Sequence, residues 1–457
     1  MTSKHDQEQA VQLDHATHIG MQRSGNLLKV LGVAFGLAIL VGNTIGMGIL
    51  RTPGEVAANV PSTFIFMAVW LAGGLYALLG ALTVSELAAM HPRSGGLYPL
   101  VKNGLGDYPG FVVGWTDWLS TCGSIAAVAI VLGEYVGPLI PVLAGHEKIT
   151  ACAVTVAFGL LQWRGIRIGD AAQQASSLIK AIALIGLALV ALYMTIGSVP
   201  QAEVETVVVT MPSGIALAAA VIISLQSAIF TYDGWTGPVY FSEELKNPGR
   251  DIPRTMIGGV LLVIAIYLLL NTAFLSVIPL SKMAGDPFVA ASAAVHLFGP
   301  MGDTVLRVVM VISLIASVNA LTLMASRVPF AMSRDGLLPN ILNRVNSGGT
   351  PASALFISIT LALLLIVTNT FNTVIAMLAF LFVSNYALTF STLFILRKSQ
   401  PDAIRPFRVP AYPFVPGLAL LGSLAFIAAA LFSDFRNSLI ALGLVAISWP
   451  VYRLFHR

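Results

Sequence analysis

Long apolar stretches separated by short polar punctuation make up most of this chain. Runs near residues 30–58, 62–90, 111–140, 149–163, 172–197, 214–241, 255–279, 304–331, 353–368, 372–396, 413–432 and 438–455 suit helices crossing a bilayer core of about 30 Å, the fourth being short for a crossing. The pattern predicts an all-α polytopic membrane protein of twelve transmembrane helices. Two of the runs are interrupted. The first contains Gly42-Asn43-Thr44-Ile45-Gly46-Met47-Gly48, and the sixth contains Tyr232-Asp233-Gly234-Trp235-Thr236-Gly237-Pro238.

In hydrocarbon every backbone N–H and C=O needs a partner, so a loosened helix survives only where it is packed in protein or lines a polar cavity. Paired interruptions at corresponding places in two halves of a chain point to a transporter's binding site. If spans one to five and six to ten are two copies, the odd number of crossings inverts the second copy and sets the two breaks facing one another at mid-membrane. The expected organisation is a cytosolic tail over 1–29, a first repeat over 30–200, a second over 201–398, and two further helices with a short cytosolic end over 399–457.

Composition agrees with this reading. With 56% hydrophobic and 10% charged residues and a mean hydropathy of +0.84, the chain is too apolar for a soluble protein. The polar first segment has no short apolar core followed by a small-residue cleavage site, so it is not a secretory signal. An excess of 25 Lys and Arg over 21 Asp and Glu implies no nucleic-acid partner, because in a membrane protein the sidedness of charge matters more than its sum. With the N-terminus inside, Arg93, Lys102, Arg164, Lys246, Arg250, Arg254, Arg327, Arg334, Arg397, Arg405 and Arg408 fall on the cytoplasmic side, and only Lys148, Lys282 and Arg436 fall clearly outside. Both termini are therefore expected in the cytoplasm of a cell-membrane protein. Cys122 and Cys152 lie within spans and read as small apolar packers, not as a metal site or a disulfide to an accessory subunit.

The chemistry concentrates at the breaks. Unwinding at Gly42–Gly48 would start a half-helix near Gly46 whose free N–H groups attract a carboxylate, while carbonyls near Asn43 and Thr44 suit an ammonium group. Gly42 and Gly46 also have the four-residue spacing of close helix packing. Asp233 lies roughly halfway across its span among Phe230, Tyr232 and Trp235. A carboxyl there costs on the order of 3 kcal/mol on insertion scales, so it should face a cavity or a cationic partner; capping the resumed half-helix is its alternative role. Lys180 lies deep in span five, where an ammonium can replace a bound sodium ion beside the freed carbonyls, unless it snorkels to the interface. Glu86, Asp117 and Glu134 read as charges near span ends, and His296 stands alone.

These residues resemble the amino acid–polyamine–organocation (APC) superfamily of transporters, and within it the L-type amino acid transporter branch. Val41-Gly42-Asn43-Thr44-Ile45-Gly46-Met47-Gly48-Ile49 is similar to the family's pattern in span one. Ser94-Gly95-Gly96 with Tyr98, Tyr232-Asp233-Gly234-Trp235, Glu243-Glu244 before Asn247-Pro248, Ser317-Val318-Asn319, Ser333-Arg334-Asp335-Gly336 and Arg405-Pro406-Phe407-Arg408 extend the likeness over nearly the whole chain after residue 29. The resemblance implies a LeuT-type fold of five plus five inverted helices and two more, with helices one and six unwound at mid-membrane. It implies a substrate site of Asn43, Thr44, Ile45, Gly46, Met47, Gly48, Phe230, Asp233, Gly234, Trp235 and Thr236. In it the α-carboxylate is held by the Met47 and Gly48 amides, the α-amino group by carbonyls near Thr44, Phe230 and Asp233, and Phe230 is an aromatic gate. Lys180 then makes sodium unnecessary, bonded to span one and to Ser317. Met47 where Ser is usual, and Asp233 where many neutral-substrate members carry Gly, depart from the pattern.

The expected function is sodium-independent transport of L-amino acids, neutral and cationic, by alternating access, as an exchanger or a proton-coupled symporter without a cofactor. A polyamine or organic-amine permease of the same fold is the alternative. An ion channel would need a symmetric filter or charged rings, and a membrane-embedded enzyme a His or paired-acid constellation in the spans.

Overall fold

The computed structural model describes residues 27–46, 48–196, 213–286, 288–368, 371–433 and 435–455. Most of the expected N-terminal tail and Met47 lie outside them. In chain order the helices are α1 (Val33–Thr44), α2 (Gly48–Asn59), α3 (Thr63–Met90), α4 (Tyr98–Leu105), α5 (Asp107–Val136), α6 (Glu147–Trp163), α7 (Ile166–Thr195) and α8 (Ile215–Thr231). They continue with α9 (Pro248–Val277), α10 (Leu280–Met283), α11 (Val289–Phe298), α12 (Met301–Ala325), α13 (Arg327–Arg334), α14 (Ala352–Thr368), α15 (Phe371–Ser399), α16 (Phe414–Ser433) and α17 (Phe435–Phe455). The protein is an all-α polytopic membrane protein. Among the described residues, 8 helices are long and apolar enough to cross a bilayer, or 9 when α1 and α2, bent by 45°, count as one broken span. Of the twelve runs read from the sequence, the other three appear as helices of only 17 residues, α6, α8 and α14.

Two groups of helices emerge from the packing. In one, α9 lies along α3 and α1, while α8 packs on α2 and α3. In the other, α5 is surrounded by α6, α12, α14 and α15. Helix α7 touches both, through α1 and α9 on one side and α12 on the other. Small residues permit the closest approaches. A methyl group on Gly80 of α3 would come within 2.8 Å of the Trp235 ring, and one on Gly74 within 2.6 Å of Ile264 and 3.0 Å of Tyr232. In a lipid environment such small-residue faces supply the van der Waals contact that water-driven burial supplies elsewhere.

Buried polar side chains tie the groups together. Gln162 of α6 donates to Asn319 of α12 at 2.5 Å, Asn319 to Gln173 of α7 at 2.7 Å, and Gln173 to the Ala38 carbonyl of α1 at 3.1 Å. At one end of the bundle an ionic lattice joins the loops after α3 and α8 to α13. Arg334 pairs with Glu243 at 2.5 Å, Arg93 with Asp335 at 2.7 Å and Lys102 with Asp335 at 3.1 Å, while the Tyr98 hydroxyl donates to Asp335 at 2.8 Å. Beneath it Arg327 and Glu244, 1% and 0% exposed, meet at 3.2 Å with the guanidinium over the Phe241 ring. Glu86 departs from its reading as a cheap end charge. It is fully buried and holds Arg397 at 2.6 Å and Arg405 at 3.1 Å.

A buried ion pair is costly to break from one side, because the remaining charge keeps its desolvation penalty. Arg327→Met should lower stability by about 3–5 kcal/mol, and the double change Arg327→Met with Glu244→Met should recover most of the loss; thermal melting in detergent compares them. Partial burial pushes the Asp335 carboxyl up, but Arg93, Tyr98 and Lys102 outweigh it and hold it below its ordinary 3.8. A carboxylate lowered by folding stabilises fully above its unfolded value and loses that contribution as acid titrates it through the folded one. The stability gap between wild type and Asp335→Asn should therefore stay flat over about pH 5 to 8 and shrink in stronger acid, as melting curves across pH will test.

Candidate functional site

Both interruptions read from the sequence are present. Helix α1 stops at Thr44 and α2 begins at Gly48; α8 stops at Thr231, and a 3-10 segment, Gly237–Phe241, resumes after the turn. The end of a helix leaves carbonyls without intrahelical partners, and here their new partners can be followed one by one. Val41 O still keeps a helical partner, the Ile45 amide at 3.0 Å, and Gly42 O and Thr44 O after it do not. Gly42 O accepts from Lys180 Nζ at 3.0 Å and from the Ser317 hydroxyl at 2.8 Å. Thr44 O faces the Tyr267 hydroxyl at 2.8 Å, and that same hydroxyl stands 3.0 Å from Thr231 O at the other break.

Lys180 is fully buried. Its three ammonium donors go to Gly42 O, Ile45 O and, at 3.0 Å, Ser317 Oγ. The α7 lysine thus lies behind the first break and does not snorkel. Ser313 adds a longer bond of 3.4 Å to Ile45 O.

The breaks also touch directly. Asn43 Nδ2 donates to Gly234 O at 3.1 Å. Gly234 has φ +108°, a conformation that side chains with a Cβ rarely adopt, and a Cβ there would stand 2.8 Å from Asn43 Nδ2 and 3.0 Å from the Thr44 amide nitrogen. This glycine therefore lets one break close on the other.

Between the breaks lies a cavity of about 100 Å³. Sites for drug-sized molecules run to about 300–1,000 Å³, so this one suits a compact solute. Of the residues singled out from the sequence, Asn43, Thr44, Gly46, Gly48, Phe230, Asp233, Gly234 and Thr236 line it. Ile45 is buried and turns its carbonyl to Lys180; Ser317 stands with Lys180 behind the break. Trp235 lines an adjoining pocket instead, its ring 4.9 Å from that of Tyr386, and Met47 lies outside the described residues. Phe230, Asp233, Phe382 and Tyr386 line both the main cavity and this adjoining pocket of about 10 Å³.

The opposite wall was not singled out from the sequence. Asp117, Thr121 and Ser124 from α5, Leu321 and Met324 from α12, and Phe382, Asn385 and Tyr386 from α15 contribute to it together with Tyr240. Asp117, read above as an end charge, is 3% exposed and accepts from the Tyr240 hydroxyl at 2.6 Å. Asp233 accepts from the Tyr386 hydroxyl. Two carboxylates therefore face the cavity, each bonded to a tyrosine on another element, and the lining contains no Lys, Arg or His. The polar pair Asn385-Tyr386 inside an apolar run was the sequence signal for the α15 wall.

Comparison with known proteins places this geometry in context. A family model described as amino acid permease matches residues 26–448. The chain is 30% identical over 435 residues to the serine/threonine exchanger SteT of Bacillus subtilis, covering 93% of this chain and 96% of that protein. It is 27% identical to the mouse b(0,+)-type amino acid transporter 1, over 92% of this chain and 86% of the relative. To the mouse large neutral amino acids transporter small subunit 2 it is 29% identical, over 84% and 73%. With identities this close, the comparison does not single out the L-type branch over the bacterial exchanger. The chain belongs to the amino acid permease family of the APC superfamily.

Proposed function

We propose that this protein is a sodium-independent secondary transporter of L-amino acids, neutral and cationic, that works by alternating access in a cell membrane. The observation that carries the reading is the saturated Lys180 ammonium at the first break: a fixed cation already sits on the carbonyls that a sodium ion would otherwise coordinate. The cavity between two broken helices supports a small zwitterion as cargo. Amides at the start of α2, with Gly48 in the lining, offer the carboxylate a helix N-terminus, and carbonyls near Thr44, Phe230 and Asp233 offer the amino group acceptors. Phe230, an aromatic side chain that lines both pockets, is the proposed gate.

On this reading α6, α8 and α14 complete twelve spans in a LeuT-type arrangement of five plus five helices and two more, with both termini in the cytoplasm. The group of α1, α2, α3, α8 and α9 rocks against α5, α6, α12 and α14. The lattice of Arg334, Glu243, Arg93 and Asp335 joins these groups, so it must part when that end opens. Transport proceeds as amino acid exchange or as proton symport, with no disulfide-linked accessory subunit. A permease for polyamines or other organic amines is the second reading, favoured by the two carboxylates and the lack of cations in the cavity wall.

A competition panel of twenty amino acids and representative diamines, on protein in proteoliposomes, tests these readings. Uptake should saturate and stay within about twofold when choline replaces sodium; stimulation of tenfold or more by sodium would refute the role given to Lys180. Asp233→Gly should lose competition by lysine and arginine by about tenfold while keeping that of small neutral amino acids, since an uncompensated desolvated cation costs more than about 1.4 kcal/mol. Competition by diamines alone would favour the second reading. Lys180→Met should abolish uptake, because it removes the ammonium from both carbonyls, leaving Gly42 O only the Ser317 hydroxyl and Ile45 O only the 3.4 Å bond from Ser313, at about 1–3 kcal/mol for the poorly satisfied group. Measured beside the monodisperse yield in detergent, uptake near wild type in this variant would overturn the assignment.

A further inference from the structure

The loop 400–413, which joins α15 to α16, builds a second site that shares no lining residue with the cavity at the breaks. Arg405 donates to the carbonyls of Leu396, Gln400, Pro401 and Ala403 and stands 3.1 Å from Glu86. Arg397 reaches both oxygens of Glu86, at 2.8 and 2.6 Å, and its guanidinium lies 4.4 Å from the Tyr412 ring centre. The Val409 amide donates to the same carboxylate at 2.7 Å. Glu86 thus sews the loop to the end of α3 and fixes two cationic walls in place.

Those walls line an open cleft of about 340 Å³ formed by Arg397, Lys398, Pro401, Arg405, Arg408 and Tyr412. Four cationic side chains line it and no carboxylate does; Glu86, behind the wall, is already engaged by both arginines and by Val409. Lys398 and Arg408 are exposed and have no ionic partner among the described residues. Like charges held this close repel, and a bound anion relieves the repulsion. Arginine's planar fork suits the paired oxygens of a phosphate.

Position narrows the ligand. The membrane-crossing helix α15 ends at Ser399 and α16 begins at Phe414, so a cleft built between these two helix ends belongs at the depth of lipid headgroups. In the same loop and at the start of α16, Ile404, Phe414 and Leu418 are 86%, 73% and 56% exposed, apolar side chains of no use to a soluble phosphate and well suited to acyl chains. We propose that this cleft binds the phosphate diester headgroup of an anionic membrane lipid, with Lys398 and Arg408 as its free cationic ligands.

The test uses the purified full-length chain in neutral detergent, titrated with short-chain phosphatidylglycerol, phosphatidylcholine or inorganic phosphate while thermal melting is followed. Phosphatidylglycerol should raise the melting midpoint saturably and phosphatidylcholine should not. Lys398→Gln and Arg408→Gln should each weaken the apparent affinity about fivefold, a loss corresponding to about 1 kcal/mol per juxtamembrane cation, with midpoints in phosphatidylcholine unchanged. Arg250→Gln with Arg254→Gln, which removes two exposed charges outside the cleft, should leave the response intact. Equal responses to the two lipids, or a phosphatidylglycerol response that survives Lys398→Gln with Arg408→Gln, would overturn the site. A shift of the same size with inorganic phosphate alone would overturn the lipid as its occupant.

Discussion

A single ammonium group makes the first break tenable. When α1 ends at Thr44 in a membrane interior, its last carbonyls lose helical partners and have no water to turn to. Lys180 answers two of them and Ser317 at once, and its own charge is spread over three acceptors in return. Neither partner is affordable alone: a buried ammonium without acceptors, or freed carbonyls without donors, would each cost several kcal/mol. The helix break and the lysine are therefore one device, assembled from α1, α7 and α12.

The second break is held by different means. Tyr267 stands between the ends of α1 and α8, and Gly234, in a backbone conformation suited to glycine, brings Asn43 against the turn. The two gaps thus share donors and form one cavity. Its far wall supplies Asp117 from α5 and Tyr386 from α15, which bond Tyr240 and Asp233 on the chain that follows α8. Such carboxylate–tyrosine bonds cross between helix groups, so the proposed rocking motion would have to break or carry them.

Polar chemistry away from the cavity follows a common rule: each buried charge is met by a partner on another segment. Glu86 gathers Arg397, Arg405 and Val409, Glu244 faces Arg327, and the amides of Gln162, Asn319 and Gln173 hand bonds from α6 to α1. Pairs of this kind give modest net stability but penalise misassembly, because any arrangement that separates them leaves a bare charge.

Hydropathy alone marked every long helix, and glycine clusters marked both breaks, because hydrocarbon thickness and the demand for backbone partners act on local stretches of chain. The same logic made Lys180 conspicuous, since a cation deep in an apolar run must have a reason to be there. Other features were not legible. Asp117 and Glu86 looked like charges near span ends, and the α15 wall carried only the faint signal of Asn385-Tyr386. Which side chain meets which across α1, α5, α7, α12 and α15 depends on contacts between residues more than a hundred positions apart, and no local pattern encodes helix rotation about its axis. The chain by itself determined that its helices enter a membrane and where two of them give way; only the tertiary packing decided which groups satisfy the exposed backbone and which face the cavity, because those choices are made between helices and not within them.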